Sequence, residues 1–216
     1  MCFSAAASFT AGIVLISTGL LTARKAQKKS DYYLASVPIL FGVQQMIEGG
    51  IWVWPDQGPL HNLLTYCFVF FAYVFWPIYI PSVVLLLEHI KWRRRILRVF
   101  QVIGAISVIG MIYAISSAEV SSYILKNSVC YDVHNIWQPI GVLYVIALCF
   151  SFFFSSNKFI NRLGLFSMIA VLVAYYFYTA TFASVWCFFA AIISISIYWQ
   201  VGSGVKAFGI DKAKIT

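Results

Sequence analysis

Gln44, Gln45 and Glu48 lie one helical turn apart in the stretch Phe41-Gly42-Val43-Gln44-Gln45-Met46-Ile47-Glu48-Gly49-Gly50-Ile51-Trp52. Residues at i, i+3 and i+4 share a helix face. Two amides, one carboxyl and the Trp52 indole therefore form one polar stripe in an otherwise apolar segment. A carboxyl within a bilayer is expensive, and it normally faces a bundle interior or a wet cavity and finds a partner there. Desolvation favours its neutral form, which suits such a group to carrying a proton. The amides could orient a ligand and the indole could wall it. The structural alternative is plain hydrogen bonding between helices. Gly49 and Gly50 permit either close helix approach or a local unwinding that exposes carbonyls to a cavity.

Sulfur and imidazole form the second set. Of the five cysteines, Cys2, Cys67, Cys130 and Cys187 are expected in the outer half of a membrane bundle and Cys149 in the inner half. An oxidising compartment could pair the outer four, and the odd total leaves at least one thiol unpaired. Cys130, His134 and His61, with Asp132 beside them, offer the usual zinc ligands and are a candidate metal site, although the Cys130 to His134 spacing alone is not diagnostic. No HExxH, GxSxG or Walker pattern occurs, and the last apolar segment has no lysine for a retinal Schiff base.

The elements that must position these residues follow from composition and charge. The chain has 216 residues, is 62% hydrophobic and 10% charged, and has a mean hydropathy of +0.86. Soluble domains carry about 25% charge, so lipid must cover much of this surface. All but Lys126 of the fifteen Lys and Arg residues fall in four islands, Arg24–Lys29, Lys91–Arg98, Lys158–Arg162 and Lys206–Lys214. Such islands stay on the cytoplasmic side of the spans they flank. The net charge of +8 then reads as orientation signals facing anionic headgroups, with no nucleic-acid partner. Met1 to Ala23 is uncharged and Arg24 and Lys25 follow it, the reverse of a cleaved signal peptide. That order predicts an N-terminus outside.

A span needs about 20 apolar residues, and segments between two cytoplasmic islands must cross an even number of times. Pro55-Asp56-Gln57-Gly58-Pro59 is a strong breaker cluster between two spans. Ser117 to Asn135 reads as a polar outer loop. Leu163 to Val201 carries no charge, is too long for one crossing, and is expected to turn near Thr179-Ala180-Thr181. The predicted fold is all-α, a polytopic membrane protein with seven transmembrane helices over about 4–23, 32–54, 60–87, 96–116, 136–154, 163–179 and 182–201. Residues 1–201 form one domain, and 202–216 are a short basic cytoplasmic tail. Trp52, Trp54 and Trp137 fall at the outer interface and Tyr32, Tyr33, Trp92, Tyr198 and Trp199 at the inner one, depths that suit half-polar rings.

The opening Met1-Cys2-Phe3-Ser4-Ala5-Ala6-Ala7-Ser8-Phe9 resembles the start of an uncharacterised family of bacterial seven-helix membrane proteins. Pro38 to Gly49 resembles that family's second segment. Ala183-Ser184-Val185-Trp186-Cys187 resembles its last, where Ser-Leu-Trp-Cys is usual and Val185 is a mild departure. The resemblance spans the whole length. It implies an integral protein of the bacterial inner membrane and no activity.

Its anchors Cys2, Gln45, Glu48, Trp186 and Cys187 belong to the outer halves of the first, second and last helices, and the first and last would be neighbours in a closed ring. Convergent polar groups between helices are the default site. The expected ligand-binding set is therefore Glu48, Gln44, Gln45, Trp52, Trp186, Cys2 and Cys187, in a polar pocket of the outer half that binds or transports a small solute or ion. Two alternatives stand beside it. One is a membrane-embedded thiol- or metal-dependent enzyme using Cys2, Cys187 and Glu48. The other is a sensor or assembly partner that makes contact through Ser117 to Asn135.

Overall fold

The computed structural model describes residues 4–125, 127–134 and 136–202. In chain order the helices and strands are α1 (Ala5–Lys25), α2 (Lys29–Val53), α3 (Pro59–Leu87), α4 (Lys91–Ser117), β1 (Ser121–Leu125), β2 (Ser128–Asp132), α5 (Gln138–Phe153), α6 (Lys158–Phe177) and α7 (Thr179–Val201). Six of the helices are long and apolar enough to cross a membrane, and α5 is shorter. The chain is thus a mostly helical, multi-pass membrane protein. Residues such as Ile109 on α4 and Leu172 on α6 are large, apolar and exposed, as lipid-facing positions must be. The shortness of α5 against the expected 136–154 has two local causes. Pro139 fixes its first turn after an extended Trp137. Asn157 ends the other side by capping α6, its Oδ1 accepting from the Phe159 N–H at 2.8 Å.

α1 and α2 pack through small residues one heptad apart. A Cβ added at Gly12 would lie 2.7 Å from Met46 Sδ, and one at Gly42 would lie 2.9 Å from the Gly12 carbonyl oxygen. Only glycine lets two backbones come this close. Gly49 meets the Phe9 ring in the same way, and α2 runs on as helix to Val53. Of the two roles open to this glycine pair, the backbone takes close approach, with no unwinding.

α3 carries two prolines in its interior. Pro77 and Pro81 have no N–H, so the carbonyls four residues earlier lose their helical donors. A π-helical segment, Phe70–Phe75, precedes Pro77. The Tyr144 hydroxyl from α5 donates to the Ala72 carbonyl in that segment at 2.7 Å. Gly104 of α4 presses on the Pro77 carbonyl, where any Cβ would overlap the oxygen. A second π segment, Ile146–Phe150, interrupts α5. Such segments recur at functional sites.

The two ends of the bundle are built differently. At the basic end Glu88 terminates α3 and is fully buried. Its carboxylate accepts from the His89 and Ile90 N–H groups, each at 2.9 Å, and from Ser156 N–H and Oγ at 2.5 and 3.0 Å. Arg94 donates to the Leu85 and Glu88 carbonyls, and Arg93 to those of Phe154 and Ser155. Lys25 sits 3.7 Å above the Tyr198 ring, joining α1 to α7.

The opposite end is closed by an antiparallel hairpin, β1 on β2, in place of the polar loop expected over Ser117 to Asn135. Val120, with Val129 and Tyr131 of β2, is buried and packed with Ile51, Phe68 and Cys187, and Cys130 is buried as well. The signal was present in the sequence. Two runs rich in Tyr, Ile and Val flank a two-residue connection, which is a hairpin pattern.

Candidate functional site

Glu48 is carried on the buried face of α2, one turn below the hairpin, and is fully buried. It accepts from Gln45 Nε2 at 3.3 Å and from the Tyr131 hydroxyl of β2 at 3.4 Å. Tyr131 is held in place by a parallel stack on Phe68, with ring centroids 4.1 Å apart. Gln44, also fully buried, accepts from the Trp76 indole N–H at 2.7 Å. Trp76 in turn stacks on Phe41 at 3.9 Å. Cys187 of α7 lies against Gln44 and within electrostatic reach of Glu48. Trp186, beside it, packs edge-on against Tyr144 at 5.3 Å.

These side chains form a polar layer across α2, α3, α7 and β2. Several of its atoms are buried with no hydrogen-bond partner among the described residues: Gln44 Nε2, Gln45 Oε1, Trp52 Nε1 and Trp186 Nε1. More than nine in ten buried polar groups in proteins are bonded, and each one left without a partner costs about 1–3 kcal/mol. Here three donors and one acceptor in the same layer are left so.

Below the layer, toward the basic end, lies a cavity of about 80 Å³. Trp76, Tyr144, Trp186 and Cys187 line its upper part, and Leu34, Leu87, Ile160 and Ile197 its lower part. The pocket expected in the outer half was polar, whereas this cavity is apolar and lies beneath the polar groups. The polar groups are a roof sealed by the hairpin, and the open space is apolar. Tyr131 and Val129 pack onto α3 and α7 above the layer.

Of the predicted site residues, Gln44, Gln45, Glu48 and Cys187 come together here. Trp52 packs in the cluster under the hairpin and Trp186 spans roof and cavity. Cys2 lies outside the described residues. Tyr131, Trp76 and Tyr144 were missed, because nothing in their local sequence marks them as reaching α2 or α3.

The proposed metal ligands do not assemble. Among the described residues no group of three or more His, Cys, Asp and Glu side chains could hold a metal ion. His61 is buried and clasps the hairpin, with Nδ1 at 2.8 Å from the Trp54 carbonyl and Nε2 at 2.9 Å from Ser122 Oγ. Cys130 donates to the Ala180 carbonyl at 2.9 Å. His134 meets only Asp132 among the described ion pairs, at 3.5 Å on the surface. A hydrogen bond with Cys130 pushes the exposed Tyr123 phenol above its ordinary range. Cys67, Cys130, Cys149 and Cys187 are free thiols.

No curated protein and no solved structure matches this chain. The model of a family of unknown function (DUF6629) matches residues 1–211, and the chain belongs to that family.

Proposed function

We propose that this membrane protein binds a small ligand in the Glu48 layer, as a solute-binding or transport site within the bundle. The single observation behind this reading is the concentration of unpartnered polar atoms around one fully buried carboxyl. A bound molecule that both donates and accepts would pair with Gln45 Oε1, Gln44 Nε2 and Trp186 Nε1. The hairpin, held by His61 and Tyr131, closes the site on one side. In this reading the basic end faces the cytoplasm, because its cations flank every span on that side, and the hairpin end faces outward.

The enzyme alternative gains no support from the geometry. Cys187 is buried against Gln44 with no basic side chain described beside it, and a thiol needs an activating neighbour to act as a nucleophile.

Native mass spectrometry of protein purified in a mild detergent tests the binding reading. A small molecule released on collisional activation from the wild type, and lost from Glu48→Gln, is the expected result. A wild type that carries no extra mass, and whose melting temperature is unmoved by lipid extract from its expression host, would overturn it. Reporter fusions at Asn127 and after Arg95 test the orientation separately.

A further inference from the structure

The polar layer and the apolar cavity share residues. Trp76 donates to Gln44 in the layer and also lines the cavity, and Cys187 lies against Gln44 and lines it too. Trp186 carries an unpartnered indole nitrogen and packs its ring along the same space. The two are therefore one compartment with a polar head and an apolar body. Resting on the reading of the Glu48 layer as a binding site, we infer that the ligand is a single-chain amphiphile. A hydroxyl-bearing head sits in the Glu48 layer, and an unbranched alkyl chain runs through the cavity toward the basic end.

The dimensions support this class. The cavity follows α7 from Trp186 to Ile197 and α3 from Trp76 to Leu87. Each is eleven residue steps, or about 16 Å at helical rise. An extended backbone gains about 1.2 Å per bond, so a chain of about a dozen carbons matches that length, and because it takes up more than the roughly 80 Å³ open here, the walls must part to admit it. Apart from Ser167, Cys187 and Ser194, the walls below the roof are hydrocarbon or aromatic. Ser194 turns its hydroxyl back to the Ala191 carbonyl at 2.6 Å, and Ser167 meets Cys149 at 3.7 Å. Neither asks for a partner inside the cavity. A hydrated ion or sugar would have nothing to bond to there, whereas an alkyl chain needs nothing.

The walls also show where such a molecule would enter. Most lining residues are buried, but Phe152 of α5 and Ala190 and Ile193 of α7 remain half-exposed. On this proposal a chain enters between these residues from the lipid side, where a membrane-dissolved amphiphile already resides.

Photolabelling in lipid nanodiscs tests the inference, using 1-dodecanol with a diazirine at the far end of its chain. Adducts are expected on peptides containing Val84, Leu87 or Ile197. Excess unlabelled dodecanol should compete them away, and hexanol should compete less well. Labelling of lipid-facing Ile109 and Leu172 should not be competed and so serves as the internal reference. Ala190→Trp should fill the wall and lower the competed labelling about tenfold, the affinity equivalent of a modest overpacking penalty. The chain-length competition on the wild type needs no variant and stands if that one fails to fold. Labelling confined to Ile109 and Leu172, with none competed, overturns the amphiphile. If Glu48→Gln still loses a co-purifying molecule in that case, the polar site survives and only the alkyl chain is wrong. If neither result appears, both readings fall.

Discussion

Glu48 and Glu88 are both fully buried carboxyls on adjoining helices, yet they are held in opposite ways. Glu88 takes four hydrogen bonds from N–H and O–H groups at 2.5 to 3.0 Å, and they join the end of α3 to the starts of α4 and α6. Short bonds of this kind to a charged acceptor are the strong ones. Glu48 accepts from Gln45 and Tyr131 at 3.3 and 3.4 Å, near the limit for a hydrogen bond. Its neighbours Gln44, Gln45 and Trp186 carry buried polar atoms with no partner among the described residues. One carboxyl is saturated by its own fold and works as a staple. The other stands among buried polar atoms that the described residues do not pair. Burial and residue type are the same, so the difference lies in the state of the surrounding donors and acceptors.

The widest gap should appear when both glutamates are changed to glutamine. In Glu88→Gln an amide NH₂ replaces the oxygen that faces the Ser156 N–H, setting donor against donor. Losing that bond and leaving the N–H unpaired should cost about 2–4 kcal/mol. At about 2–4 °C per kcal/mol for a chain of this size, a scan in detergent should show the melting temperature falling by on the order of 10 °C. Glu48→Gln should move it by less than about 3 °C while abolishing ligand binding. Equal losses from the two variants would erase the distinction.

Gln44 and Gln45 offer the next contrast, between adjacent residues. Gln44→Leu strips the acceptor from the buried Trp76 N–H and should cost about 1–3 kcal/mol. Gln45→Leu removes an acceptor that has no partner along with a long donation to Glu48, so the effects offset to within about 1 kcal/mol. Urea or thermal unfolding of the two single variants ranks them. A Gln45 variant less stable than the Gln44 variant would mean that the layer is knit for structure.

How much of this was legible beforehand depends on the range of each interaction. The apolar runs, the breaker cluster at Pro55 to Pro59 and the basic islands are local, and the helix ends lie close to them. The Gln44, Gln45 and Glu48 stripe was readable for the same reason, since helical spacing alone puts those residues on one face. Tyr131 and Trp76 reach the stripe from 83 and 32 residues away, and no spacing rule encodes such contacts. Glu88 was passed over because it lies at the edge of a span beside a basic island, where an acidic residue reads as solvated. The polar residues of Ser117 to Asn135 read as a loop, and the Tyr, Ile and Val residues among them carry the opposing strand signal.

The smallest expected effect is also the most discriminating for the hairpin end. Tyr131→Phe keeps the ring stacked on Phe68, where the interplanar angle is 2°, and removes only the hydroxyl that reaches Glu48. A bond at 3.4 Å is too long to add much, so stability should change by about 0.5 kcal/mol or less. The hairpin should stay closed, because His61 and Thr65 still hold Ser122 from α3. Hydrogen exchange of the Ser121–Leu125 amides should therefore match the wild type. His61→Phe removes the ring nitrogens that meet Ser122 and the Trp54 carbonyl, and should speed that exchange about tenfold, the equivalent of a lost hydrogen bond. If Tyr131→Phe instead frees the hairpin as much as His61→Phe does, then the carboxyl of Glu48 is itself the fastener. In that case the hairpin end would be a second staple like the one at Glu88, and the unpartnered amides near it would need another explanation than a ligand.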